Sequence, residues 1–245
     1  MRDTRTCGSL IGLGLFALTL AVPAEASAQV IRSGPATCRA VAVTFDLCPV
    51  RAGLGYDEAL IQTLIEKRLP ATFFVSGRWA ARHEDQLRRL TAIPFFEFGT
   101  HGDVHAHLPL LPEDRQRAEI QDAVDLLRTQ FGLVTTLFRP PYGEFDDMTV
   151  RLVRALGLRF ILWNVVSGDP DPALTKEAML AQLAPRTRNG AILVFHANGK
   201  GRHTKAVVEA LYERVLVPKG LQPLTVTSLL DRCDLGVTHA SPILH

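Results

Sequence analysis

Short runs rich in β-branched and aromatic residues alternate with segments of helical period along most of this chain, and this alternation is its most constraining feature. Because parallel strands need crossover connections, usually helical, the alternation predicts a parallel sheet covered by helices. The seven predicted strands are Ala40–Phe45, Ala71–Val75, Phe95–Phe98, Thr135–Phe138, Arg159–Trp163, Ala191–Phe195 and Gln222–Val226. The predicted helices are Asp57–Lys67, Trp79–Leu90, Glu113–Gln130, Asp146–Leu156, Thr175–Leu183 and Thr204–Val215.

The turn after the first predicted strand separates two architectures. An open doubly wound sheet is expected to carry a Gly-rich phosphate-binding turn there, whereas this chain has Asp46-Leu47-Cys48-Pro49. A closed or nearly closed (β/α) barrel therefore fits better. No linker or repeat interrupts the pattern, so residues 29–245 are predicted to form a single α/β domain.

Residues 1–28 have the order of a secretory signal peptide. Two arginines precede an apolar run from Leu10 to Val22, and Ala26-Ser27-Ala28 is a small-residue cleavage site. A membrane anchor, the alternative, needs about 20 apolar residues, which is more than this run contains. Cleavage predicts an exported protein, periplasmic or secreted, that begins near Gln29 and keeps no membrane span.

Cysteine usage and charge narrow the chemistry further. Export removes Cys7 and leaves three cysteines in an oxidising compartment, where one disulfide can form. A bridge between Cys38 and Cys233 would join the two ends of the mature domain and leave Cys48 over. No CxxC pair is present, so a metal would need other ligands.

A net charge of +2 without a basic run argues against nucleic acid as a partner.

Potentially reactive side chains follow the carboxyl ends of the predicted strands. In a (β/α) barrel those ends meet at one mouth, where the active site is built, so their clustering predicts a site. The residues are Asp46, His101, His105, Arg139, Tyr142, Asp169 and His196.

Four of these residues also have an ordinary structural interpretation. His101 and His105 are spaced to share a divalent metal, zinc or else cobalt, nickel or iron, but two solvated loop histidines have the same pattern. Asp46 suits a general base and a helix cap equally well. His196 ends a buried strand, where core histidines also occur. His107 is interpreted as a bystander or as a residue behind the ligands.

Five motifs occur in order along residues 39–230. They are Thr44-Phe45-Asp46, Gly99-Thr100-His101-Gly-Asp-Val-His105, Arg139-Pro-Pro-Tyr142-Gly143, Trp163 to Asp169, and Leu193-Val-Phe-His196. Together with Ala71-Thr-Phe-Phe-Val75 they resemble the polysaccharide deacetylases of carbohydrate esterase family 4. The resemblance implies a distorted seven-stranded (β/α) barrel and metal-dependent removal of acetyl groups from N-acetylated sugars.

The resemblance also implies individual roles at the barrel mouth. The acid–base residues are Asp46 as base, Arg139 as its partner, His196 as acid and Asp169 as the residue that tunes the acid. The metal ligands are His101 and His105, and the residues against the substrate are Tyr142, Pro141 and Trp163.

Two positions depart from the family pattern. Leu47 stands where the family has a second aspartate, its third metal ligand, and catalytic metals normally have three protein ligands. Either Asp103 or Asp57 replaces that aspartate, or metal binding has decayed. Pro170 follows Asp169 where the family usually has tryptophan, so the aromatic side chain that the family has at this position is missing.

We therefore expect a hydrolase that uses a divalent metal to remove acetyl groups from N-acetylated, or O-acetylated, sugars of a polysaccharide or oligosaccharide. Two other classes stay open: a carbohydrate-binding homologue that has lost the metal, and a hydrolase of another amide or ester bond. Retention of Asp46, Arg139 and His196 favours an enzyme, because a binding protein needs neither an acid nor a base.

Overall fold

The structure is a computed structural model that describes residues 30–234. All seven predicted strands are present in it, with small shifts at their ends, and two strands of two residues each are added. The strands are β1 Val30–Ile31, β2 Ala40–Leu47, β3 Ala71–Val75, β4 Phe96–Thr100, β5 Leu137–Phe138, β6 Arg159–Ile161, β7 Val165–Val166, β8 Ile192–His196 and β9 Gln222–Leu224.

Helices connect most of these strands. They are α1 Glu58–Glu66, α2 Gly77–Arg82, α3 Glu84–Thr91, α4 Glu113–Phe131, α5 Asp147–Ala155, α6 Lys176–Arg186, α7 Thr204–Leu211, α8 Val217–Lys219 and α9 Val226–Asp234. The single helix predicted over Trp79–Leu90 is wrong, because His83 adopts non-helical dihedral angles and separates α2 from α3. The imidazole of His83 stacks on Trp79 at this break, with 4.5 Å between ring centroids.

The strands form one parallel sheet in the order β1-β6-β5-β4-β3-β2-β8-β7, with β9 paired beside β2. The segment after β1 crosses to the other end of the sheet, where Ser33 makes an antiparallel bridge to Ala191. There the backbone N–H of Gly34 donates to the Gly190 carbonyl at 2.8 Å. The predicted distorted (β/α) barrel is confirmed, and part of its distortion is this irregular closure.

Side chains of β2 alternate between two apolar layers, as the pleat of a strand requires. Val41, Val43, Phe45 and Leu47 pack in the layer shared with the helices. Ala40 and Ala42 face the barrel interior, where α9 contributes Val226 and Leu229 to the same cluster. Thr44 and Asp46 continue the inward row toward the carboxyl end, so β2 delivers polar groups to the mouth.

Among residues 30–234, no helix combines the length and apolar character that crossing a membrane requires. The predicted signal peptide lies outside the described residues. Cys38 is disulfide-bonded and Cys48 is a buried free thiol. The side chain of Cys233, the predicted partner of Cys38, also lies outside the described part of the chain.

Candidate active site

A buried ion pair lies at the centre of the barrel mouth. Asp46 is 3% exposed, and its Oδ1 accepts a hydrogen bond of 2.8 Å from Nη1 of Arg139, which has no exposed surface. Burial acts to raise the pKa of Asp46, but the Arg139 guanidinium, with smaller contributions from His101 and His196, brings it below the ordinary value. Asp46 is therefore a carboxylate at neutral pH, as a general base must be.

The Arg139 guanidinium is fixed from several sides. Nη1 also donates to Thr44 Oγ1 at 2.8 Å, and Nη2 donates to the Leu162 carbonyl at 3.3 Å. Its central carbon lies 3.9 Å from the ring centroid of Phe74 and 5.3 Å from that of Trp163, so cation–π contacts accompany the hydrogen bonds. Thr44 is not among the predicted site residues, because a strand threonine carries no signature of this role.

His101 is held in the tautomer that binds metals. It is 2% exposed, and its Nδ1–H donates to the Arg139 carbonyl at 2.8 Å, which leaves the Nε2 lone pair free. That Nε2 lies 3.7 Å from Asp46 Oδ2. Burial is the main reason that the pKa of His101 is lowered, despite the attraction of the Asp46 carboxylate. The neutral imidazole needed for a ligand is thus favoured.

His105 lies beside His101, with 4.9 Å between ring centroids. Burial and the neighbouring His101 lower the pKa of His105 to about 3, so this imidazole is also neutral at physiological pH. Its backbone has φ 67°, a left-handed conformation that is costly for a residue with a side chain. This strained turn lies at the residue whose imidazole contacts His101.

Two neutral imidazoles fit a divalent transition metal, but the third protein ligand is missing. Within residues 30–234 no three His, Cys, Asp or Glu side chains converge as a metal site. Leu47 packs in the apolar layer under the helices. Asp57 caps α1 by accepting the Leu60 N–H at 3.0 Å, and Asp103 lies against Gly77 at the start of α2. Neither candidate replacement therefore joins the two histidines.

The second titratable pair is His196 with Asp169. His196 Nδ1–H donates to Asp169 Oδ1 at 3.0 Å, and the His196 backbone N–H donates to Oδ2 at 2.7 Å. Burial acts to lower the pKa of His196, but the hydrogen bond and charge of Asp169 raise it overall. The Asp169 carboxylate accepts two further bonds of 2.9 Å, from Ser167 Oγ and Thr204 Oγ1, which sequence analysis did not identify.

The rings of Tyr142, His107 and Trp163 form an aromatic wall beside the mouth. Tyr142, 52% exposed, stacks on His107 with 4.0 Å between ring centroids, and His107 Nδ1 bonds Glu144 Oε2 at 2.7 Å. Tyr142 and Trp163 line the same cavity as Asp46, His196 and Asp169. Pro141, predicted to contact substrate, is buried and lies outside that lining.

Asp46 and His196 are directly paired residues of neighbouring strands β2 and β8. The cavity between them and the aromatic wall is also lined by His101, His105, Asp169 and Lys200. An ionised carboxylate and an imidazole with a raised pKa thus flank one small space, an arrangement that can serve acid–base hydrolysis of an amide or ester.

Comparisons with known proteins identify the family of this chain. The polysaccharide deacetylase family matches residues 33–161. An uncharacterized protein of Streptomyces coelicolor is 37% identical over 125 residues, which is 50% of this chain and 49% of that protein. The peptidoglycan-N-acetylglucosamine deacetylase of Bacillus cereus is 25% identical over 201 residues, covering 81% of this chain and 71% of that protein.

A solved carbohydrate esterase family 4 pseudoenzyme from Bacillus anthracis has the same fold. Its TM-score is 0.73 at 23% identity, over 82% of this chain and 68% of that one. The family match extends over slightly more than half of the sequence and includes Asp46, His101 and Arg139. On that match, the chain belongs to the polysaccharide deacetylase family.

Proposed function

We propose that this protein hydrolyses the acetyl group of N-acetylated sugars in a polysaccharide or oligosaccharide. The observation that carries the proposal is the placement of Asp46, an ionised base, directly across the strand register from His196, whose raised pKa favours the protonated imidazole that can act as an acid. Names of relatives in the same family, such as the peptidoglycan-N-acetylglucosamine deacetylase, support the substrate class.

In the proposed reaction, Asp46 Oδ2 takes a proton from the attacking water, because Oδ1 is occupied by Arg139. The water oxygen forms a bond to the acetamide carbon. A backbone N–H at Tyr142 stabilises the oxyanion. His196 Nε2 then gives its proton to the leaving nitrogen as the C–N bond breaks, since Nδ1 is held by Asp169. The products are acetate and a free amino sugar.

We propose that His101 and His105 hold a divalent metal, zinc or else cobalt, nickel or iron, at this site. Such an ion, when bound, lowers the pKa of water and polarises a carbonyl. With two histidine ligands its affinity is expected to be well below that of a site with three. The Arg139 carbonyl keeps Nε2 of His101 available without the ion.

A carbohydrate-binding protein without catalysis is the second candidate. Leu47, which replaces the family's third ligand with a buried apolar side chain, favours it. The structural similarity to a pseudoenzyme of the same family is consistent with this alternative. The aromatic wall and cavity would serve a binding protein as well as they serve an enzyme.

Metal analysis combined with acetate release separates the two. The purified protein, stripped of metal and then titrated with zinc or cobalt, is incubated with chitotetraose. Deacetylation predicts acetate release that rises with metal and is lost in Asp46→Asn, which keeps the size of the side chain. Chitotetraose binding without acetate release at saturating metal would overturn the enzymatic proposal and support the binding protein.

We further propose that residues 1–28 direct export and are removed. N-terminal sequencing of the protein recovered from the periplasm or medium is expected to begin near Gln29. Recovery of the protein with Met1 still attached, in the soluble fraction of the producing cell, would contradict this proposal.

A further inference from the structure

The loop that follows β8 is fastened to the floor of the active site. Asn198, 1% exposed, donates from Nδ2 to the Cys48 carbonyl at 3.0 Å and to Cys48 Sγ at 3.1 Å. Its Oδ1 accepts the backbone N–H of Lys200 at 3.2 Å. A buried amide therefore sets the backbone position of Lys200 relative to β2.

The other end of the same loop is hydrogen-bonded to Asp169, the partner of His196. Thr204 Oγ1 donates to Asp169 Oδ2 at 2.9 Å. A Cβ at Gly201 would lie 2.0 Å from Thr204 Oγ1 and 3.0 Å from the Asp169 carbonyl, so the loop passes too close for a side chain there. With both sides fixed, the loop holds Lys200 at the rim of the cavity.

Lys200 is a positive charge without a counter-charge of its own. It is exposed and lines the cavity, and its charge acts on His105 and His196. It forms no salt bridge with any residue that the structure describes between positions 30 and 234. The two carboxylates of the cavity are occupied, Asp46 by Arg139 and Asp169 by His196.

We infer that Lys200 binds an anionic group of the substrate. The inference rests on the proposed function, and it narrows the substrate to acetylated saccharides that carry a carboxylate or phosphate near the acetylated sugar. Because Lys200 is exposed, the free protein does not have to desolvate its ammonium group. The positive charge attracts an anion at long range, which favours both the encounter with the substrate and its orientation in the cavity.

Calorimetric binding to the metal-free protein tests the inference apart from catalysis. The probes are chitotetraose, which is neutral, a phosphorylated chitotetraose, and a hyaluronan tetrasaccharide, in which N-acetylglucosamine alternates with glucuronate. Wild type is expected to bind at least one anionic probe about three- to fivefold more tightly than chitotetraose at low salt, as an exposed ion pair provides. The comparison of the two anionic probes identifies which anion is preferred.

Lys200→Gln is expected to remove that preference and leave the dissociation constant for chitotetraose unchanged, whereas Lys200→Arg retains it. Arg202→Gln is the matched control, because it removes one positive charge from the same loop outside the cavity lining. Equal binding of all three probes by wild type, or an unchanged preference in Lys200→Gln, would overturn the inference. Absence of binding to every probe, with no acetate released at saturating metal, would instead overturn the proposed function.

Discussion

Arg139 is a charged residue whose surroundings are entirely protein. Its partners are one carboxylate, one hydroxyl, one carbonyl and two aromatic rings. Desolvating a guanidinium is expensive, so the pair with Asp46 contributes modestly to stability as a whole, but removing one partner leaves the other charge buried and unpaired. The cost of mutation therefore greatly exceeds the net contribution of the pair.

Arg139→Met is expected to lower the free energy of unfolding by about 3–5 kcal/mol at neutral pH, as measured by urea denaturation. In the wild type the lowered pKa of Asp46 stabilises the fold at pH values above the ordinary pKa of aspartate, and this stabilisation is lost as the pH falls. In the variant the Asp46 carboxylate has no cationic partner, so its protonation removes an unpaired buried charge. The difference between the two proteins is therefore expected to shrink in acid, and a difference independent of pH would contradict the ion-pair account.

The raised pKa of His196 depends on the Asp169 carboxylate. A histidine with a raised pKa stabilises the fold below its unfolded value near 6.5, and that contribution is lost as pH rises through the folded value. Asp169→Asn is expected to move the His196 titration, followed by NMR, to lower pH. In an active enzyme the alkaline limb of kcat/KM shifts the same way. An unchanged titration would show that Asp169 only positions the ring.

The titratable residues of the site were predictable because they are rare side chains that recur at strand ends. Ser167, Thr204 and Asn198 were not, although each makes a hydrogen bond that fixes one of the reactive residues or the loop beside them. Serine, threonine and asparagine are common in loops, and their roles depend on contacts between segments far apart in sequence. Only the folded structure brings those contacts together.

At the level of elements, strand β2 carries both the proposed base and the departure from the family pattern. Asp46 and Leu47 are consecutive, so the pleat turns them to opposite faces of the sheet. A carboxylate at position 47 would reach the mouth only if the end of β2 twisted away from the apolar layer.

Leu47→Asp is expected to destabilise the metal-free protein by roughly 2–5 kcal/mol, because it buries a carboxylate in place of a packed leucine. Zinc is expected to bind this variant more tightly than wild type, because coordination of the ion relieves the buried carboxylate and so favours the twist at the end of β2 that brings it to the mouth. Titration calorimetry measures the affinity. Leu47→Asn is the control for size and polarity. Equal zinc affinities for the aspartate and asparagine variants would show that position 47 does not reach the ion.

Asp57→Ala and Asp103→Ala complete that comparison. Asp57 caps α1, so its loss is expected to cost about 1 kcal/mol of stability in thermal or urea unfolding. Neither substitution is expected to change zinc affinity. A weaker affinity in either variant would identify that aspartate as the third ligand.

Most of the longer elements could be predicted from the periodicity of the sequence, except the helix that His83 interrupts, whereas the shortest strands could not. Strand Ala71–Val75 has the predicted bounds, because five consecutive buried residues between polar segments leave little choice. Strands β1 and β7 have two residues each, too few for any alternation to be recognised. Their pairing depends on barrel closure, which is a property of the whole molecule.

The barrel closes where Gly34 meets Gly190, and this contact leaves no room for a side chain. A Cβ at Gly190 would lie 2.4 Å from the Gly34 carbonyl oxygen. Gly190→Ala is expected to lower the free energy of unfolding by about 1–3 kcal/mol beyond the cost of its positive φ. Gly157→Ala is the matched control, with φ +72° against +74° and open space around it. Equal costs in urea denaturation would show that this closure is loose.

The burial of Arg139 also bears on how a protein of this kind would change after losing its activity. Selection for catalysis is not needed to keep the Asp46–Arg139 pair, because loss of either residue leaves the other as an unpaired charge buried inside the barrel. Leu47 lies on the other face of β2 and is free of that constraint. A change at position 47 would therefore be tolerated before the loss of the acid–base residues, which would stay in place for a long time. In sequence surveys, the side chain at position 47 is thus a more sensitive marker of activity than the presence of Asp46 and Arg139.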